Sequence, residues 1–211
     1  MSILEKLSSR VGDRTEESNK SVAAECLNKH YLLKEIESGL LSDDPKLVAD
    51  CAEVMTNVGI NNPKLLVPFA GALFKTITHK NSKAKWESVH SLSLIAADIP
   101  DDISRNLPRI SGLMMDDKSV IVRDYSTDII ANYAGAGKAE AEKSFPLLKE
   151  MLYKYEEKHA GHALKGLLNV VRMLPEHKNI VAEISEQFTI HKKAVVSKTA
   201  KSLLKYIRTE C

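Results

Sequence analysis

Small and apolar residues recur along the chain at a spacing that suits a helix. From an anchor position they return 4, 7, 8 and 11 places on, the stripe that a 3.6-residue turn brings to one face. Leu47 is followed in this way by Cys51, Val54, Met55 and Val58, and Lys85 by Val89, Leu92, Ser93 and Ala96. Val122 leads to Ser126, Ile129, Ile130 and Tyr133; Ala160 to Leu164, Leu167, Leu168 and Val171; Val196 to Ala200, Leu203, Leu204 and Ile207. The anchors stand 38, 37, 38 and 36 residues apart. A near-constant period of this size marks stacked helix pairs, in which each unit hides its apolar face on the next.

Ahead of three of these stripes stands a Pro among apolar residues, in Val67-Pro68-Phe69, Leu107-Pro108-Arg109-Ile110 and Phe145-Pro146-Leu147-Leu148. Each is expected to begin the partner helix, because a first turn has no use for the N–H that Pro lacks. The Pro precedes its anchor by 14 residues in two units and by 17 in the third, where Thr76 to Lys83 lengthens the turn. Ser42-Asp43-Asp44-Pro45 and Asp116-Asp117 read as caps of second helices, Asn62-Pro63 and Pro100-Asp101-Asp102 as caps of first helices.

A Pro-bearing helix, an Asp-rich turn and a second helix with Val-Arg near its start, as at Val122-Arg123, resemble the units of HEAT repeats. Leu32 to Gly59, Leu107 to Tyr133 and Phe145 to Val171 are the most similar stretches, and the likeness spans residues 30 to 208. It implies an all-α fold, a right-handed α–α superhelix of helix pairs at 30–60, 63–98, 102–134, 139–174 and 176–208. Residues 1–29 lack the template and are expected to form a capping segment for a repeat domain over 30–211, hiding its terminal apolar face.

Composition agrees with this reading and adds a charge gradient. The 211 residues are 44% hydrophobic and 27% charged, as in a soluble globular chain of one or two domains. Nine Gly and seven Pro are few for a turn-rich β fold. The formal charge of +2 conceals −5 between Asp13 and Glu53 and +5 between Gln187 and Cys211. Cys26, Cys51 and Cys211 are far apart and form no CxxC pair, which favours a reducing, cytoplasmic setting. No apolar run is long enough for a signal peptide or a membrane span, and Cys211 lacks the three following residues of a prenylation site.

If the second helices line a concave face, as the resemblance implies, positions one, two, five and nine after each anchor turn away from the core. The first row is then Val48, Trp86, Arg123, Gly161 and Ser197, and the second Ala49, Glu87, Asp124, His162 and Lys198. The third is Ala52, His90, Thr127, Lys165 and Lys201, and the fourth Thr56, Leu94, Ala131, Asn169 and Lys205. Trp86, Glu87, His90, Arg123, Asp124, His162 and Lys165 form the candidate partner-binding groove. Trp86 is either an anchor or the filler of a gap between helices; Arg123 and Asp124 either meet a partner or tie repeats together. Lys198, Lys201, Lys205 and Arg208, spaced 3, 4 and 3, make a stripe that suits an anionic partner or solvates a terminal helix.

The patterns of catalysis are weak. His159 and His162 have the three-residue spacing of two metal ligands, but no carboxylate motif completes a site, and an exposed polar face is the simpler reading. Iron-binding HEAT hydroxylases use His-Glu dipeptides, and none occurs in this sequence. Gly135-Ala136-Gly137-Lys138 echoes a phosphate loop but has Asn132 and Ala139 where Gly and Ser or Thr belong, so it reads as a turn between repeats. HEAT-like DNA alkylpurine glycosylases place an aromatic, an Asp and basic residues in one groove. Trp86, Asp124 and Arg123 supply each type once, yet His90 stands where that family keeps a carboxylate, and no catalytic residue is carried over. The expectation is therefore a non-catalytic scaffold without metal or cofactor, largely monomeric, that grips a helix or extended peptide of another protein. Two alternatives remain open: nucleic-acid binding through the basic stripe with Lys165 and Arg172, and head-to-tail self-association of the acidic and basic ends.

Overall fold

The computed structural model describes residues 2–155 and 158–210; Met1 and Cys211 lie outside them. Every regular element among the described residues is helical, and none of the helices is long and apolar enough to cross a membrane. Two compact units divide the chain, Met1–Ile99 and Pro100–Cys211.

In the first unit a 3-10 turn at Ile3–Lys6 and the short α1 (Ser8–Val11) lead into α2 (Glu17–Asn28). The reversal between them passes through Gly12, whose φ of 73° lies in the left-handed region that costs Gly little. There follow α3 (Leu33–Leu40), α4 (Pro45–Asn61), α5 (Ala70–Thr76) and α6 (Ser82–Ile95). Asp44 caps α4 by accepting from the backbone N–H of Lys46 at 2.9 Å and of Leu47 at 3.4 Å. Asn81 caps α6 in the same way, toward Lys83 at 2.9 Å and Ala84 at 3.1 Å. Because α2, α3 and α6 all pack against α4, that helix is buried around almost its whole circumference.

The second unit comprises α7 (Pro100–Asp116), α8 (Val120–Tyr133), α9 (Lys138–Lys154), α10 (Ala160–Met173), α11 (Lys178–Phe188) and α12 (Ala194–Glu210). Here α7 pairs with α8, α9 with α10 and α11 with α12, while α10 also packs on α8 and α12. Close approach at the centre depends on Gly166: a Cβ there would stand 2.7 Å from Leu148 Cδ1 and 2.9 Å from the Cβ of Ala131.

The periodic template describes the core well. Of the twenty stripe positions after the five anchors, nineteen are buried and Leu168 alone is half-exposed. Three readings of detail need correction. Pro108 and Pro146 do not begin helices, since α7 starts at Pro100 and α9 at Lys138, placing each Pro ninth in its helix. Pro68 sits in a 3-10 segment, Pro63–Phe69, just before α5. The cap of α8 is Ser119, whose hydroxyl accepts from Val122 N–H at 3.4 Å, while Asp117 accepts from Ser119 N–H at 2.8 Å and holds that cap in place.

The outward rows are also much less outward than expected. Val48, Ala49, Ala52 and Thr56 are buried, as are Glu87, Arg123, Thr127 and Ala131. The reason is geometric: second helices pack flank to flank, on α2 and α6 around α4 and on α8 and α12 around α10, so these positions become contacts between neighbouring units. Exposure returns toward the C-terminal end, where Lys165, Lys198, Lys201, Lys205 and Arg208 are all open.

Candidate functional site

The start of α10 is held by a polar knot that joins Arg123 and Asp124 of α8 to His159. His159 is fully buried, with Nδ1 2.5 Å from Asp124 Oδ1 and Nε2 accepting from Arg123 Nε at 3.1 Å. Arg123 also donates to the Asp117 carbonyl and lies over the ring of Tyr155, 4.4 Å from its centroid, while the Tyr155 hydroxyl donates to the Met115 carbonyl. Two hydrogen bonds and the face of an aromatic ring thus meet the buried guanidinium inside the protein, and such partners are what let a charge tolerate burial. Arg123 and Asp124 are therefore ties between α8 and the head of α10. His159 is correspondingly no exposed polar face.

One turn along α10, His162 Nδ1 stands 2.7 Å from Asp128 Oδ1 and its Nε2 3.6 Å from Asp124. The hydrogen bond to Asp128 raises the pKa of His162 above the ordinary histidine value, with both carboxylates adding to the effect; burial and Lys165 oppose it. Both histidines of the three-residue pair are thus engaged by carboxylates.

Beyond His162 the surface between α10 and α12 opens into a groove of about 500 Å³. Its apolar lining is Leu164, Leu168, Val195 and Leu203, and its polar rim Lys165, Lys198, Thr199 and Ser202. Leu168, the one stripe residue not buried, is left uncovered by this opening. At the α10 N-terminus the groove continues into a smaller recess of about 120 Å³ lined by Lys158, Gly161, His162, Lys165, Lys193 and the two valines Val195 and Val196. Lys165 and Val195 belong to both. On the other flank of α12, Lys201, Lys205 and Arg208 line a separate depression against α11, where Arg208 approaches Glu186 at 3.6 Å. The four-residue basic stripe is thus divided, with Lys198 facing α10 and the other three facing α11.

Trp86, Glu87 and His90 lie on α6 in the first unit. Trp86 and His90 are half-buried and Glu87 is buried. Around them runs a second polar knot that sequence reasoning missed. Asn19 Nδ2 donates to Asp50 Oδ1 at 3.0 Å and to Glu53 Oε2 at 2.5 Å, and Lys83 reaches the same Glu53 oxygen at 2.9 Å. The backbone N–H groups of Ser8 and Ser9 donate to Asn19 Oδ1 and Asp50 Oδ2 at 2.9 and 2.8 Å, so α1 is fastened to α4. Burial pushes the Glu87 carboxyl up to about 7, and the neighbouring Glu53 adds to the shift. No metal-binding group of three or more His, Cys, Asp or Glu forms among the described residues.

Comparison with solved structures places this architecture. A designed armadillo repeat protein matches with a TM-score of 0.74 and 15% identity, over 97% of this chain and 98% of its own. The chain folds as an armadillo-like α-solenoid. An engineered protein matches with a TM-score of 0.67 and 16% identity, over 99% and 97% of the two chains. A designed armadillo repeat protein in complex with the peptide (KR)4 matches with a TM-score of 0.71 and 16% identity, over 97% and 98%. No protein-family model matches the chain, and no curated protein does.

Proposed function

We propose that this α-solenoid is a non-catalytic scaffold that holds an extended, acidic and partly apolar segment of another protein in the groove between α10 and α12. The carrying observation is the groove itself, about 500 Å³ with an apolar floor at Leu164, Leu168 and Leu203 and the ammonium groups of Lys165 and Lys198 on its rim. An apolar floor with a few placed charges is the usual composition of a recognition site. Similar solenoids have been designed for peptide recognition, and one holds a basic (KR)4 peptide; the lysine rim of this chain calls for the opposite sign. The Pro-bearing first helices α7 and α9 and the pairing of each with its second helix support HEAT-type repeats, read at 30–60, 63–98, 102–134, 139–174 and 176–208, with residues 1–29 as the cap packed on α4. The two buried, reduced thiols, Cys26 and Cys51, are in keeping with a cytoplasmic setting.

The test is fluorescence anisotropy with labelled peptides of alternating Glu and Leu, against Lys and Leu controls. Saturable binding of the acidic peptide is expected, weakened about tenfold by Lys165→Glu or Lys198→Glu. Equal binding of both peptides, or of neither, would remove the reading. The depression along Lys201, Lys205 and Arg208 supports a second reading, contact with a nucleic-acid backbone. It requires oligonucleotide binding that falls steeply with salt and is lost on reversing Lys201 and Lys205; an oligonucleotide affinity indifferent to both would dismiss it.

A further inference from the structure

The recess at the head of the α10–α12 groove differs from the groove in kind. At about 120 Å³ against about 500 Å³ it is much the smaller of the two, with room for a compact anion. Three lysines line it: Lys158 just before α10, Lys165 one turn into α10 and Lys193 just before α12. All three are exposed, and none takes part in an ion pair among the described residues. Gly161 forms part of the lining, and a Cβ built on it would touch nothing nearer than Val196 Cγ2 at 4.0 Å. The missing side chain is therefore a portion of the recess. Lys165 and Val195 line both the recess and the groove, so a residue seated in one places its neighbours in the other.

We infer that this recess is a phosphoryl-group site, and that the segment taken by the groove carries a phosphorylated serine or threonine there. The inference rests on the peptide reading above and narrows it. A carboxylate brings one charge and two oxygens to three ammonium groups. A phosphoryl group brings close to two charges and three strong acceptors, and each lysine can then donate to an oxygen of its own. His162 forms the inner wall. Its ring nitrogens face Asp128 and Asp124, so it is engaged away from the recess and the lysines supply the donors.

The decisive experiment compares three labelled peptides of Glu and Leu that differ at one central residue, phosphoserine, serine or glutamate. They are titrated into the full chain and its Lys158→Ala, Lys193→Ala and Gly161→Val variants. Phosphoserine is expected to bind about tenfold more tightly than serine, with glutamate close to serine. Each variant should remove most of that advantage, weakening the phosphoserine peptide far more than the serine peptide. Gly161→Val fills the recess without altering charge, and circular dichroism establishes that each variant is folded. In a parallel titration, inorganic phosphate should perturb the amide signal of Gly161 and the ring signals of His162. If serine and phosphoserine peptides bind alike, the phosphoryl site is overturned and the peptide groove survives. If none of the peptides binds, both fail. An oligonucleotide that outcompetes the phosphopeptide and is lost on Gly161→Val would overturn the inference in favour of nucleic acid.

Discussion

Arg123 Nε donates to His159 Nε2 across 3.1 Å, which obliges His159 to carry its proton on Nδ1 and share it with Asp124. A buried guanidinium, a neutral imidazole and a carboxylate thereby form one chain of bonds between α8 and the head of α10. Arg123→Ala would leave the acceptors of His159 and the Asp117 carbonyl without a donor. A loss of about 2–4 kcal/mol in unfolding free energy is expected, read from urea denaturation. Because the knot positions His162 and Gly161, the same variant should also weaken peptide binding under conditions where it remains folded. A stability within experimental error of the parent would show that the knot holds nothing together.

Glu87 provides a pH signature. Its folded pKa of about 7 lies above the ordinary 4.5, so the folded state binds the proton more tightly than the unfolded chain. Its contribution to stability is full below pH 4.5 and is lost as the pH rises through about 7. Glu87→Gln cannot ionise, so it should gain on the parent by about 2–3 kcal/mol between those limits. Denaturation midpoints at pH 5 and pH 8 test this, and parallel pH profiles for the two proteins would contradict it.

His162 titrates with the same sign for a different cause. Hydrogen bonding to Asp128 raises its pKa, so its share of stability is complete below the ordinary histidine value and disappears as pH rises through the elevated one. Asp128→Asn should lower the titration midpoint of His162, followed through its ring Cε1 proton by nuclear magnetic resonance. An unmoved midpoint would mean that Asp128 is not the partner that matters.

Gly166 carries a packing prediction with competing terms. Ala in its place gains about 1 kcal/mol of helix propensity, but its Cβ would press on the packed Leu148 and Ala131. Overpacking typically costs about 1–3 kcal/mol, so Gly166→Ala should lower the melting temperature and Gly166→Val lower it further. A rise for Ala would show that Leu148 yields without strain.

The sequence was most legible where one kind of interaction decides the outcome. The stripe from Val122 to Tyr133 reads directly because burial of a helix face is periodic, and its residues are all buried. Helix starts were less legible: Pro108 and Pro146 are tolerated in mid-helix, so a rule about first turns misplaced them. The outward rows failed for another reason. A helical wheel presumes one covered face, whereas α4 and α8 are covered on their flanks as well, which buries Thr56 and Arg123. Asn19, Asp50 and Glu53 escaped notice because isolated polar residues on helices read as solvated, and only the packing of α2 and α6 on α4 brings them together with Lys83. Of the candidate groove, His162 and Lys165 do line one opening with Lys198 nearby, but its apolar floor was read as core.

The enclosure of α4 by α2, α3 and α6 has a kinetic consequence. Backbone amides exchange with deuterium only when a local opening exposes them, and the openings that cost least begin at termini and exposed turns. In the first unit the amides at the centre of α4, around Ala52 to Met55, should be the last to exchange, and their rate should report complete unfolding of that unit. Those of α5, a seven-residue helix ending in the turn before Asn81, should exchange far sooner. The slowest amides would thus mark α4 as the element on which the stability of its neighbours depends.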